Sequence, residues 1–377
     1  MISYKLENFI EELNKQVISM DQGLSYNPEF RASKEMHDYP SRKAQLIRSL
    51  YSKELEVSRY SAEMIYQSIL SRQGERWQNF GESPEDYTDI MILGREMIYR
   101  SGIMNGELEK IIVKIADNYG HLLEIDETEF SECLNAIPQE VDSELYLFID
   151  DQTAKFIPEA LKKIGSYFAE KNIKFTPELE HHFPGWEYFA YGLIEQGKSH
   201  LAELFAELKE KNIKKIITLT GQSHYLLKYF ADKLGMEHNF NIINIIDILE
   251  ELKTEQDVYL HAGSFYSRYL KYNEKINQLL AAETDSILPS SIEFLPLYSK
   301  GPRMNQVNIW QFPLTAEYEL YLFPEEMREA IYRDGLRQIE KSIHKKLIVF
   351  DPYAYQVLKE DNYDKEFGYF TDLVKVW

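Results

Sequence analysis

Two periodicities divide the chain. Up to about residue 135 the apolar positions recur at helical spacing, as in Ile65, Ile69 and Leu70 and again in Met91, Ile92, Met97 and Ile98, without strand-like runs. This predicts a helical unit over 1–135. From about 143 short unbroken apolar runs replace that pattern, at 145–149, 214–219, 241–246, 258–261 and 346–350. Runs of that length ending in polar turn residues read as buried strands. Amphipathic stretches separate them, and Pro158 opens a helix predicted to run through Tyr167. The expectation is an α/β class with parallel strand pairing.

The alternation repeats. Lys214-Lys215-Ile216-Ile217 through Leu227-Lys228 matches Lys345-Lys346-Leu347-Ile348 through Leu358-Lys359 at an offset of 131, and Phe183-Pro184 matches Phe312-Pro313 at 129. Loop insertions produce such a drift, so a tandem α/β repeat is expected, with units at 143–255 and 256–377.

Composition narrows the function. With 44% hydrophobic residues in 377 the chain can bury sizeable cores. Its 62 acidic residues against 42 basic give a charge of −20, which phosphate backbones repel, so nucleic acid is not an expected partner. No segment has the roughly 18 uninterrupted apolar residues of a membrane span, and residues 1–7 lack the pattern of a signal peptide. A cytoplasmic protein without direct membrane insertion is expected. Cys133 is the single cysteine, which excludes a disulfide framework, a cysteine-based zinc site and a thiolate-held cluster within one chain. It sits in an acidic stretch, and carboxylates raise a thiol pKa. There is no G-x-G-x-x-G after a strand, no phosphate loop and no G-x-S-x-G elbow. Ser223 stands beside His224, but sequence neighbours rarely reach triad geometry.

The residues around the strand ends resemble a known family. Over 143–359 the chain is similar to two copies of the cysteine-rich CCG domain of heterodisulfide reductase catalytic subunits and of the iron–sulfur subunits of anaerobic glycerol-3-phosphate dehydrogenase and glycolate or lactate oxidases. In the first copy Gln152-Thr153-Ala154 with Pro158-Glu159 stands where the family has Cys-Thr-Ala and Pro-Glu. Phe183-Pro184-Gly185, followed by Gly192, stands for Cys-Cys-Gly and a later glycine; Thr218 to Ser223 stands for Thr-x-Cys-Pro-x-Cys. In the second copy His261-Ala262-Gly263-Ser264 with Arg268 resembles His-Asp-Pro-Cys and a following arginine. Asp351-Pro352-Tyr353-Ala354-Tyr355 keeps the proline and tyrosine of Cys-Pro-Tyr-Cys-Tyr. Its middle motif is Phe312-Pro313 or Tyr298-Ser299-Lys300-Gly301.

The helical unit resembles the family's two-cluster ferredoxin-like domain. Val17, Met20, Gly23 and Asn27-Pro28 have its cysteine spacing, Tyr39 to Lys43 its intervening segment, and Ile65, Ser68, Ser71 and Glu75 a second set. Gly120 stands at a family turn between domains.

The resemblance implies a fold whose cluster-binding positions are vacated. Gln152, Phe183, Pro184, Thr220, Ser223, Ser264, Asp351 and Ala354 supply no thiolate, so no iron–sulfur cluster is expected, and the family's disulfide reduction does not carry over. Phe183 and Pro184 are expected to fill volume a cluster would take. What remains is a non-catalytic scaffold or binding subunit whose partner is a cluster-bearing relative or a flavoprotein. The alternative is a zinc or non-haem iron enzyme, or a ligand-binding protein, using Asp151, His181, His182 and His224, with Asp150 and His200 near them. Its plainer counterpart is that these are ordinary loop residues, since no H-x-x-H spacing joins them. Likewise His261 is expected to bond the next loop and Arg268 to bind carboxylates, with an old substrate or partner pocket as the functional alternative.

Overall fold

A computed structural model describes residues 3–18, 27–73, 87–104, 106–117, 123–177, 185–254, 258–281, 311–315, 322–341 and 345–374. The first part is helical: α1 (Ile10–Ile18), α2 (Pro28–Ser33), α3 (Pro40–Tyr51), α4 (Arg59–Tyr66), α5 (Tyr87–Ser101), α6 (Gly106–Asp117) and α7 (Glu127–Leu134). Local chemistry sets several starts. Asn27 accepts from the Phe30 N–H at 2.7 Å, and Pro28 and Pro40 occupy first turns where a missing N–H costs nothing. Met91, Ile92, Met97 and Ile98 lie in α5 as the spacing predicts, but Ile69 and Leu70 do not continue α4. The carbonyls there serve side chains from elsewhere. Arg95 takes those of Tyr66 and Ser68, Tyr269 that of Leu70, and Arg268 that of Ser71. Backbone so engaged cannot close helical turns.

Beyond residue 143 the chain is mixed α/β. β1 (Leu145–Phe148), α8 (Asp151–Phe156), α9 (Pro158–Glu170), α10 (Trp186–Ala190), α11 (Ile194–Glu210), β2 (Lys215–Thr218), α12 (Gly221–Tyr225) and β3 (Asn241–Asn244) build a parallel sheet of order β1-β2-β3. Leu145 stands opposite Lys215, and Lys215 opposite Asn241. β4 (Val258–His261), α13 (Asn273–Ala281), α14 (Glu325–Glu340), β5 (Lys346–Val349), α15 (Pro352–Glu360) and β6 (Glu366–Tyr369) build a second, of order β4-β5-β6 and also parallel. Val258 stands opposite Lys346, and Lys346 opposite Glu366. β3 stops short of Ile246 because the Asn244 side chain accepts from the Ile246 N–H at 3.0 Å and turns the chain. β6 escaped the apolar-run criterion, since Glu366 and Gly368 interrupt it. α12 runs into a π-helical turn at Leu226–Phe230, and a second follows β4 at Phe265–Tyr269.

The first sheet lies between two cores. Tyr146, Phe148, Ile216 and Ile242 pack with the helices before residue 123 and with α10 and α11. Leu147, Ile149, Ile217 and Leu219, on the other face, share a core with α7, α9 and the second sheet. A parallel sheet covered on both faces reads as continuous apolar runs, which is how these strands look in sequence. Cys133 is buried in this second core, and burial ahead of the Glu159 charge pushes its thiol pKa up.

One glycine shows how tightly the helical part is attached. Gly192 has φ +82°, and a Cβ there would lie 2.4 Å from the Glu96 backbone nitrogen. Nearby, Arg95 is fully buried and donates to the Ala190 carbonyl at 2.5 Å, while Tyr66 donates to the Tyr191 carbonyl at 2.7 Å. Among the described residues no helix is long and apolar enough to cross a membrane.

Candidate functional site

The carboxyl ends of β1, β2, β4 and β5 point their following loops at one another. Gln152, Thr220, Gln222, Ser264, Tyr266 and Asp351 are among the residues lining the cleft between them. In open α/β sheets ligands bind beyond the carboxyl ends of strands, so the place is a natural one for a site. Its free space is about 20 Å³, enough for about one water.

The loops owe their shape to capping. Asp150 caps α8 by accepting from the Thr153 N–H at 2.8 Å; its second oxygen accepts from the Ser223 hydroxyl at 2.6 Å and from the Thr220 hydroxyl. Thr220 in turn caps α12, accepting from the Ser223 N–H at 3.2 Å. Asp351 caps α15, accepting from the Tyr353 N–H at 2.9 Å. Gln152 donates to the Gln222 side-chain carbonyl, which joins the loops after β1 and β2. Gly263, at φ +72°, brings the loop after β4 against Asp351: a Cβ there would lie 2.9 Å from the aspartate Cβ. Burial pushes the Asp351 carboxyl up to about 6, against the Tyr353 and Ala354 N–H groups that favour its charge, and the nearby Asp150 charge adds a smaller rise.

A second layer closes the loops from behind. The Tyr266 hydroxyl lies 3.1 Å from both the Leu219 carbonyl and Asn244 Oδ1, while Asn244 Nδ2 donates to the Thr220 carbonyl at 3.1 Å. His261 Nε2 is 2.9 Å from the Phe312 carbonyl, which makes it the donor and sets the tautomer. His261 thus bonds the loop that holds Phe312-Pro313. Arg268 reaches into three separate parts of the chain. It donates to the Ser71 carbonyl, to the Gln311 carbonyl at 2.9 Å and to Ser264 Oγ at 2.8 Å, tying the helical part to the second sheet. Burial drives the pKa of His261 down to about 4. His224 is also lowered to about 4 by burial, with Lys228 adding.

The positions at which the resemblance would place cysteines are therefore found in different settings. Gln152, Thr220, Ser264 and Asp351 line the cleft, with Ser223 bonded just behind it. Ala354 is fully buried one turn into α15. Phe183, Pro184, His181, His182, Gly120 and 298–301 lie outside the described residues, as do Met20, Gly23 and Glu75. Of the metal candidates that are described, Asp151 is buried in the first turn of α8. His224 turns its Nδ1 to Thr218 Oγ1 at 3.1 Å, away from Ser223, whose hydroxyl is held by Asp150; the two form no nucleophile–base pair. His200 lies on α11 with its ring against Tyr188. Among the described residues no three His, Cys, Asp or Glu side chains stand together as a metal set. Gln222, Asn244, Tyr266 and Arg95 were not foreseen, because nothing local distinguishes a polar residue that will bond across a fold from one that will face water.

No family model, curated protein or solved structure matches this chain.

Proposed function

We propose that this chain is a cluster-free relative of heterodisulfide-reductase-type iron–sulfur subunits, retaining two CCG-like α/β repeats and a ferredoxin-like helical domain as a non-catalytic scaffold or binding subunit of a redox complex. The observation that carries the reading is the state of the cleft. The loops that would present cysteines converge there, yet they present Gln152, Thr220, Ser264 and Asp351 around a space of about 20 Å³. Side-chain bonds among Asp150, Thr220, Ser223, Gln152 and Gln222 occupy the rest. A four-iron cluster is far larger than a water and needs thiolates.

Two further features support it. The sheets share order and polarity, with β2 and β5 offset by 131 residues. Helix contacts also exchange between them: α8 packs on α15, and α12 on the π turn after β4. The subunit works in the cytoplasm, beside a cluster-bearing relative or a flavoprotein.

The test is iron and acid-labile sulfide analysis of chain purified without oxygen, with a visible spectrum. The expected result is negligible iron and no broad absorbance near about 400 nm, the region of iron–sulfur charge transfer. Near-stoichiometric iron and sulfide would overturn the reading. Co-expression with adjacent genes is expected to yield a complex whose iron or flavin resides on the partner; disulfide reduction by the chain alone would refute the scaffold role.

A further inference from the structure

We infer that the pocket between α2 and α14 binds a small zwitterion with one ammonium and two carboxylates, an acidic amino acid or a short peptide carrying one acidic side chain. The pocket shares no lining residue with the cleft, so the inference stands apart from the cluster-free reading. Its volume of about 340 Å³ is in the range of small-molecule sites. One face of α14 forms the floor, where Glu326, Ala330, Arg333 and Arg337 recur at helical spacing. Arg31 and Lys34, at the end of α2, form the wall. Ala330 is the small side chain of the lining, and its methyl leaves the middle open between an acidic end and a basic end.

The charges decide the ligand. Two pairs in the lining are closed on themselves. Arg31 forks onto Asp334, with Nη2 2.6 Å from Oδ1 and Nε on the other oxygen, and its guanidinium lies 4.5 Å over the Phe312 ring. Both Asp334 oxygens are thereby taken. Arg333 donates to Glu329 at 2.8 Å. Three charges are left over. The side chains of Glu326 and Arg337 have no ion-pair partner among the described residues, and both are exposed. Lys34 Nζ uses one N–H, on the Arg31 carbonyl at 2.5 Å, and keeps two. The complement of two cations and one carboxylate is a molecule with two carboxylates and one ammonium. Glu326 and Arg337 are about three turns, roughly 16 Å, apart on the same face, and their long side chains reach inward from the two ends. The ammonium then sits at Glu326, and the carboxylates at Arg337 and Lys34. A plain dianion would face Glu326, and a cation would meet Lys34 and Arg337. The chain's charge of −20 also repels anions at long range, and the ligand's own ammonium offsets part of that repulsion.

The experiment is isothermal titration calorimetry of the full chain at low salt with three probes: L-glutamate, the dipeptide alanyl-glutamate, and glutarate, which has the two carboxylates without the ammonium. One site per chain is expected, with glutarate at least about tenfold weaker than the better zwitterion; which zwitterion binds tighter distinguishes a free amino acid from a peptide. Arg337→Gln is expected to weaken all three probes at least about tenfold, and Ala330→Leu to abolish binding by filling the middle of the floor. Glu326→Gln is expected to remove the preference over glutarate, which a loss of general surface charge would not do. Thermal melts by circular dichroism confirm that each variant stays folded. No binding by about 10 mM of either zwitterion would overturn the inference. So would equal affinity for glutarate, or unchanged binding by Arg337→Gln and Ala330→Leu. Each of those outcomes leaves the cluster-free reading intact.

Discussion

Two histidines and one aspartate make the stability of this chain depend on pH in opposite directions. His224 and His261 are each lowered to about 4 by burial, so the unfolded chain binds more protons below about pH 6.5. Their contribution is complete above that value and is lost as pH falls toward 4. Between pH 7 and 5 each is expected to cost about 2 kcal/mol. Urea unfolding at both pH values checks this, and His261→Gln, whose amide can still donate to Phe312, is expected to remove one share. Asp351 has the reverse sign. Its folded form keeps a proton up to about 6, so its contribution is intact below about 4 and is lost as pH rises through 6. Asp351→Asn is therefore expected to stabilise the chain at pH 8 and to change little at pH 4. An unchanged urea midpoint at pH 8 would refute the assignment. Sequence showed where Thr220, Ser264 and Asp351 fall, because each follows an apolar run ending in a turn. It could not show Asp150 as the hub that joins Thr220 and Ser223: a carboxylate two residues past a strand looks the same whether solvated or bonded to two hydroxyls.

At the scale of elements the strands were the legible part and the joints were not. Of the six strands among the described residues, five are apolar runs long enough to stand out; β6 is a Glu-Phe-Gly-Tyr segment whose place depends on β5 beside it. The helical spacing of Ile65, Ile69 and Leu70 does not become one helix for a related reason, since the side chains that claim the carbonyls of Ser68, Leu70 and Ser71 come from α5 and from beyond β4. The joint at Gly192 gives a sharp prediction. Alanine there meets both a positive φ and backbone atoms closer than 3 Å, so Gly192→Ala is expected to cost about 3 kcal/mol or more. Thermal melts followed by circular dichroism would measure it. A loss below about 1 kcal/mol would mean that the α5 contact yields easily.

For the whole molecule, the sandwiching of the first sheet matters more than the sequence boundaries at 135 and 255. Tyr146, Phe148, Ile216 and Ile242 on one face belong to the core of the helical part, and their neighbours on the other face to that of the second sheet. Removing residues 1–135 would strip from the first set the helices that share its core and leave α10 and α11 over it, so a chain of 136–377 is expected to aggregate or to melt without cooperativity. The intact chain is expected to unfold in one urea transition, coincident by circular dichroism and by the fluorescence of Trp186, which is buried in the first core. Two separated transitions would show that the sheet does not couple the cores.

The caps around the cleft also act as a ratchet. Thr220 and Asp351, which stand at vacated cluster positions under the proposed reading, hold the first turns of α12 and α15. Restoring cysteine at either would forfeit a cap worth about 1 kcal/mol before any iron could bind, and a lone thiol would bring no compensating metal. Under that reading each single step toward a redox centre is uphill, and the caps that hold the two helices would themselves stand in the way of cluster chemistry.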